Sequence, residues 1–421
     1  MNKGLSQARL DAIILFVAFV LANLRATIFV YLHPDPSVLL GAAWMEIALW
    51  LLLVVVILYS LIRNDEMSQF LSMWRRNWLP ALFILLALLS ILWSIGPLVT
   101  LFRSLELLFA ALVASYIGMR LAPEKLMDTL FWFGAVLFLL SIALVFGAPP
   151  TGTMYWAPFY GAWRGVFWHR NHLASVAAFL SLIYLCRMFL AFRNRDTSGI
   201  LDGLLYLLSL VILYFARSAT GYIVFILLHA AGIVAWVWLQ VEGRLRRGHY
   251  LLILVGVTFT AILIATNLDY IFGLFGRDTT MTGRVGLWSN LIELASRRLW
   301  LGHGFGAIWT LDSFREEIRQ LAGWPSPPLI ADNGLLDIYL HLGITGVVIF
   351  SCVLIVVTVR SFLYAVARKT LPGFFPLLVM VYAIFANITF SLVAETEVFL
   401  WFLLIAALFM ATPSVEKAIT S

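Results

Sequence analysis

The chain has 421 residues, 62% of them hydrophobic and only 12% charged, against roughly 25% charged in a soluble globule. This excludes an ordinary soluble enzyme, and the formal charge of +6 is no nucleic-acid signal until the positions of the cations are known. Apolar runs of about 20 residues, enough to cross a bilayer, recur along the sequence, so the expected fold class is an all-α polytopic membrane protein, with residues 1–421 forming one helical domain.

Twelve spans are expected, at about 10–32, 38–62, 79–94, 100–119, 128–147, 171–190, 202–216, 220–240, 249–267, 334–361, 373–391 and 396–411. The first follows Lys3 and Arg9 and has the length of a signal-peptide core, Leu10 to Leu24. No small-x-small cleavage site follows, since Phe19 stands three residues before Ala22, so it reads as a membrane helix. Cys186 and Cys352 lie in or beside apolar runs and make no disulfide framework. With the N-terminus inside, every lysine falls on the inner side, together with Arg9, Arg63, Arg75, Arg76, Arg120, Arg187, Arg360 and others. Every outer basic residue is an arginine: Arg103, Arg164, Arg170, Arg217, Arg277, Arg284, Arg297, Arg298, Arg315 and Arg319. Topology needs only charge inside; an outer preference for arginine points to the planar fork that grips carboxylate or phosphate. For Arg277, Arg297, Arg298, Arg315 and Arg319, in an acid-rich loop, the plainer reading is interface tolerance.

Two outer loops are long. The first, about 148–170, is rich in Trp, Tyr and Gly. Its Trp156, Tyr160, Trp163 and Trp168 are candidate sugar-stacking surface. The second, about 268–333 between the ninth and tenth spans, is too long for a plain connection and is expected to carry short helices at "GRVGLWSNLIELASRRLW" and "REEIRQLAG".

Several stretches carry candidate chemistry. Arg103 and Glu106 lie about a turn inside the outer end of a span, where charge is costly. A structural pair at helical spacing is the plainer alternative. Arg217 sits between two closely spaced spans, and Arg284 follows Gly283 at an expected helix start, where a guanidinium and a helix N-terminus together suit a diphosphate. "GVFWHRNHLA" supplies His169, Arg170, Asn171 and His172; a zinc site lacks an evident third ligand, and an interfacial belt with Trp163 and Trp168 is the alternative. "LGHGFGAIW" supplies His303 on a Gly-rich turn without a Walker lysine. Glu395 and Glu397 read as caps of a short outer turn rather than cation ligands. Asp332 and Asn333 stand where a loop meets an apolar run; they either cap the helix beginning near Gly334 or act on a substrate at the interface.

The ordered set "LFRSLELL", "RGVFWHRNHLA", "FARSATG", "MTGRVGLW", "LGHGFGAIW" and "ADNGLLDIYLHLGITGVVIF" resembles the O-antigen ligase and Wzy-type polymerase superfamily over about residues 80–360, exopolysaccharide polymerases above all. The resemblance implies a metal-independent glycosyltransferase without cofactor, in the bacterial inner membrane, with both termini cytoplasmic and the site facing the periplasm. Its donor would be a glycan on undecaprenyl diphosphate, its acceptor a glycan or a lipid. Membrane lipids, and chain-length regulator or export proteins, are the other partners implied; nucleic acid is not. Arg217 and Arg284 would hold the diphosphate, assisted by Arg103. Asp332 and Asn333 would be catalytic, and Arg164, His169, Arg170, Asn171, His303 and Trp163 candidate glycan or acceptor contacts. Ligases carry His-Asn where this chain has Asp332-Asn333, a departure that leans toward polymerisation. Ligation to lipid A core or another acceptor is the alternative within the family. A lipid-linked glycan flippase is the rival class, which should show inverted repeats and mid-membrane charge.

Overall fold

The computed structural model describes residues 2–32, 36–155, 159–241, 284–310, 312–322, 331–389 and 398–413. Among them the structure is helical, with one isolated bridge between Thr153 and Trp163. The long helices are α1 (Asn2–Leu32), α2 (Pro36–Arg63), α3 (Met67–Arg76), α4 (Trp78–Leu89), α5 (Pro97–Arg120), α6 (Pro123–Gly147), α7 (Arg170–Arg193), α8 (Gly199–Ala216) and α9 (Ala219–Val241). After them come α10 (Arg284–Ser296), α11 (Asp312–Ala322), α12 (Gly334–Arg368), α13 (Phe375–Thr389) and α14 (Phe399–Met410).

Seven helices among the described residues are long and apolar enough to cross a membrane, or eight if the bent pair α3–α4 counts as one span. The expected span at 249–267 lies outside the described residues. Of the twelve expected, seven or eight thus stand among the described residues, with α13 and α14 as shorter apolar helices. Large apolar side chains such as Leu52, Val55, Leu139 and Ile355 are exposed on the outer faces of long helices. In water that would be an aggregation surface; against lipid it is the expected covering, because every backbone group is already bonded within its helix.

The centre of the bundle is α14. Every residue from Val398 to Ala411 is buried, as expected of a helix that is apolar all round. It packs against α1, α5, α12 and α13, and the Trp401 indole N–H donates to the Leu107 carbonyl of α5 at 3.0 Å. The N-terminal half of α7 is a second hub, buried from Arg170 to Tyr184 between α6, α8 and α9.

The two ends of the bundle differ in charge. At one, Arg120 bonds Asp11 (3.0 Å) and Glu66, while Tyr116 donates to Asp11 at 2.7 Å, joining α1, α2 and α5. Nearby, Arg187 bonds Asp202 (2.8 Å) and Asp128, joining α6, α7 and α8. At this end α3 also turns by 82° into α4, and its strongly amphipathic sequence suits a helix lying along a membrane surface. The opposite end gathers the segments 90–96, 148–169, 217–218, 299–310 and 331–333. The candidate site residues are there.

Candidate active site

The site end is organised by a broken helix. Residue Gly343, inside α12, has φ 66° and ψ −165°, which splits off a short N-terminal half-helix, 334–342. Breaking a helix frees backbone groups that a membrane cannot satisfy. Here the 299–304 segment takes four of them. The N–H groups of His303 and Gly304 donate to the Leu340 and His341 carbonyls, each at 3.0 Å. In return, the N–H groups of Ile344 and Thr345 donate to the carbonyls of Leu299 (2.8 Å) and Trp300 (3.3 Å). The two backbones approach so closely that a Cβ at Gly343 would lie 2.4 Å from the Trp300 carbonyl oxygen, and one at Gly302 would lie 2.5 Å from that of His341. This is why "LGHGFG" needs its first glycine there.

The half-helix begins with the acid–amide pair. Asn333 is the cap: its side-chain oxygen accepts from the N–H groups of Leu335 and Leu336, both at 3.1 Å. Asp332 is a separate matter. It is half-buried, with φ 54°, a left-handed conformation that aspartate, asparagine and histidine enter most easily after glycine. Both residues have further interactions within the protein. The strand of chain leading in is clamped by two tryptophans. Trp288 of α10 donates to the Ala331 carbonyl at 2.8 Å, and Trp309 donates to Asp337 at 2.7 Å. Asp337 is buried and also accepts from the Ala331 N–H at 3.3 Å. It was overlooked in the sequence, although a carboxylate four residues inside an apolar helix is itself a signal.

Arg103 meets this framework from α5. Its guanidinium pairs with Glu106 at 3.4 Å, so the pair expected from helical spacing forms. Its stem lies against Gly306, where a Cβ would come within 2.6 Å of the arginine Cγ. Arg103 and His303 both lie within electrostatic reach of His341. His341, also missed in the sequence, is fully buried, with neither ring nitrogen hydrogen-bonded among the described residues. His303 places Nδ1 3.1 Å from the Leu340 carbonyl, an oxygen that can only accept, so that nitrogen carries a proton. Burial pushes its pKa below the ordinary histidine value. The 90–96 connection holds the whole segment: Ile95 N–H donates to the His303 carbonyl (3.0 Å), and Trp93 donates to that of Leu301 (2.9 Å).

A second group surrounds the turn between α8 and α9. Arg217 closes α8 in the left-handed conformation and is exposed. Arg170 donates to the Ala216 carbonyl at 3.4 Å and to that of Arg217 itself, and its guanidinium sits 3.9 Å over the Phe159 ring. Ser218 donates to the Asn171 side chain at 2.9 Å, and His169 caps α7 by accepting from the Asn171 N–H at 3.2 Å. Arg170 and Asn171 thus fix the turn that presents Arg217. Arg164 is buried and donates to the carbonyls of Thr151 (2.8 Å), Pro150 (3.0 Å) and Trp168 (3.3 Å). Desolvation lowers its pKa to about 10, which still leaves it charged. Trp163 stacks on Phe215 at 4.5 Å, so one of its faces is covered, whereas Tyr160 is exposed. His172 stacks on Phe167 at 4.4 Å.

Of the remaining candidates, Arg284 opens α10, as expected of a helix start, but its side chain lies outside the described residues. Trp156, Arg277, Glu395 and Glu397 also lie outside them. In the acid-rich loop, Arg319 pairs with Glu316 (2.6 Å) and Arg297 with Glu317 (2.8 Å).

Residues 204–351, from α8 through the break in α12, match the family model Wzy_C, described as O-antigen ligase. Over that segment the chain is similar to this family, and a longer stretch is similar to a curated relative. That relative is the exopolysaccharide production protein ExoQ of Rhizobium meliloti (strain 1021), 27% identical over 289 residues. The match spans 65% of this chain and 62% of that protein's length. The matched segment holds Arg217, Arg284, His303, the Asp332–Asn333 pair and Gly343, while Arg103 and the 163–172 residues precede it.

Proposed function

We propose that this chain is a membrane glycosyltransferase that polymerises undecaprenyl-diphosphate-linked repeat units into an exopolysaccharide or O-antigen at the periplasmic face. The observation that carries this reading is the clamped start of α12. Asn333 caps the helix, which leaves Asp332 a carboxylate not needed as the cap, and Arg103 comes from α5 against the same 302–306 segment. A hydroxyl acceptor must meet a lipid diphosphate that cannot leave the bilayer, and an acid beside cations at one end of the bundle suits that meeting.

In the proposed step the acceptor hydroxyl oxygen attacks the anomeric carbon of the donor. Its proton passes to the Asp332 carboxylate as the carbon–oxygen bond to the diphosphate breaks. Undecaprenyl diphosphate leaves with the electron pair, its growing charge met by Arg217, Arg284 and Arg103. Neither metal nor nucleotide enters this balance. The polymerase reading leans on the relative named for exopolysaccharide production. The family description favours a second reading, single transfer to lipid A core or another acceptor.

The test is incubation of purified protein with an undecaprenyl-diphosphate repeat unit. A product ladder is expected. A single transfer that needs an added lipid acceptor would replace polymerisation with ligation, and no transfer in either assay would remove the enzymatic reading.

A further inference from the structure

The basic end carries a cleft of about 100 Å³ where α3 turns into α4, far from the candidate site. Its polar lining is Arg76, Asn77 and Arg360; its apolar lining includes Trp78, Val353 and Val356. Arg360 bonds only neutral acceptors here, the Asn77 side chain, Thr412 (3.1 Å) and the Arg76 carbonyl (3.1 Å). Arg76 donates to the Pro413 carbonyl at 3.1 Å. Neither guanidinium has a carboxylate partner among the described residues. The contrast with Arg120 and Arg187, each paired with acids at this same end, is informative. Two adjacent cations without a counter-charge repel unless an anion joins them.

The surroundings say which kind of anion. Helix α4 starts here without a side-chain cap, adding unmatched N–H groups and the positive end of its dipole. Trp78 is exposed, α3 has the character of an interfacial helix, and the apolar wall belongs to the long helix α12. A soluble anion has no use for that wall, whereas a lipid has a phosphate for the arginines and an acyl chain for the valines. We infer that this cleft seats the phosphate headgroup of an anionic phospholipid between Arg76 and Arg360, with an acyl chain against Val353 and Val356.

The experiment uses the full chain and reads lipid retention, so its outcome is independent of any transferase activity. Protein is extracted from phosphatidylcholine membranes with and without phosphatidylglycerol, and retained lipids are counted by native mass spectrometry. Arg76 is exposed, so Arg76→Gln is expected to fold normally and to retain about tenfold less phosphatidylglycerol, the loss of one charge-assisted contact. Val356→Trp, which fills the apolar wall, is expected to lower retention too, while Arg75→Gln, beside the cleft but outside its lining, keeps it. Equal retention in Arg76→Gln and the parent protein would overturn the inference. So would thermal stabilisation in detergent by inorganic phosphate as strong as that by phosphatidylglycerol, since the cleft would then serve a soluble anion.

Discussion

Asp332 and Asn333 are neighbours with different duties, and substitution separates them. Asn333 holds the helix start, so Asn333→Ala is expected to cost about 1 kcal/mol, seen as a lower unfolding temperature in detergent. Asp332→Asn keeps the left-handed backbone conformation at little cost. The protein should therefore still fold while transfer falls by about 10²–10⁴-fold, the range for a lost general base. Asp332→His also tolerates that backbone and should restore part of the activity. A fully active Asp332→Asn protein would take the carboxylate out of the chemistry. His303 offers a pH test. Its folded pKa is lowered by burial, so the native state resists the proton that the unfolded chain accepts. Its contribution to stability is present above the ordinary histidine pKa of about 6.5 and is lost as pH falls below it. Thermal melts between pH 5 and 8 should show that limb in the parent protein and a weaker one in His303→Gln.

At the scale of elements, the break at Gly343 decides most. Gly343→Ala would strain a backbone conformation open essentially only to glycine, at about 1–3 kcal/mol, and drive a methyl into the Trp300 peptide. The expected result is poor recovery of folded protein, read by size-exclusion chromatography, and a wild-type profile would mean that the half-helix can straighten. Arg187 tests the other end. Asp202 is 2% exposed against it, so Arg187→Met should destabilise by about 3–5 kcal/mol through the stranded carboxylate. The apolar runs were legible in sequence because hydropathy and length alone define them. The loop helices α10 and α11 were legible from their amphipathic spacing. The break was not, because "LHLGITGVV" reads as one apolar helix and glycine is common in such helices; only the docking of 299–304 makes Gly343 a corner. Asp337 and His341 were missed for the same reason: they sit on the half-helix that this corner creates. Among the residues read as glycan contacts, sequence gave no way to foresee that Arg164 would be enclosed by three carbonyls, since its partners lie at Pro150, Thr151 and Trp168 across an irregular loop.

For the whole molecule, the expectation is that the two ends face opposite sides of the membrane, the basic end inward. Cys186 is buried and Cys352 half-buried, so both are first replaced by serine. A cysteine at Trp300, exposed at the site end, should react with an impermeant maleimide in intact cells. One at Lys125, on the basic end, should react only after permeabilisation. Reversed labelling would place the site on the cytoplasmic side and remove the proposed periplasmic reaction.

The buried helix α14 also has a consequence in time. It is the last described helix along the chain, yet its Trp401 bonds Leu107, 294 residues earlier. At about 5–20 residues per second, α5 waits roughly 15 to 60 s after its synthesis for the helix it packs against. With only 12 residues, α14 is about 18 Å long, shorter than the roughly 30 Å hydrocarbon layer, and so depends on its neighbours to be housed at all. The bundle must therefore remain open at its centre until α14 has been made, and only then close around it.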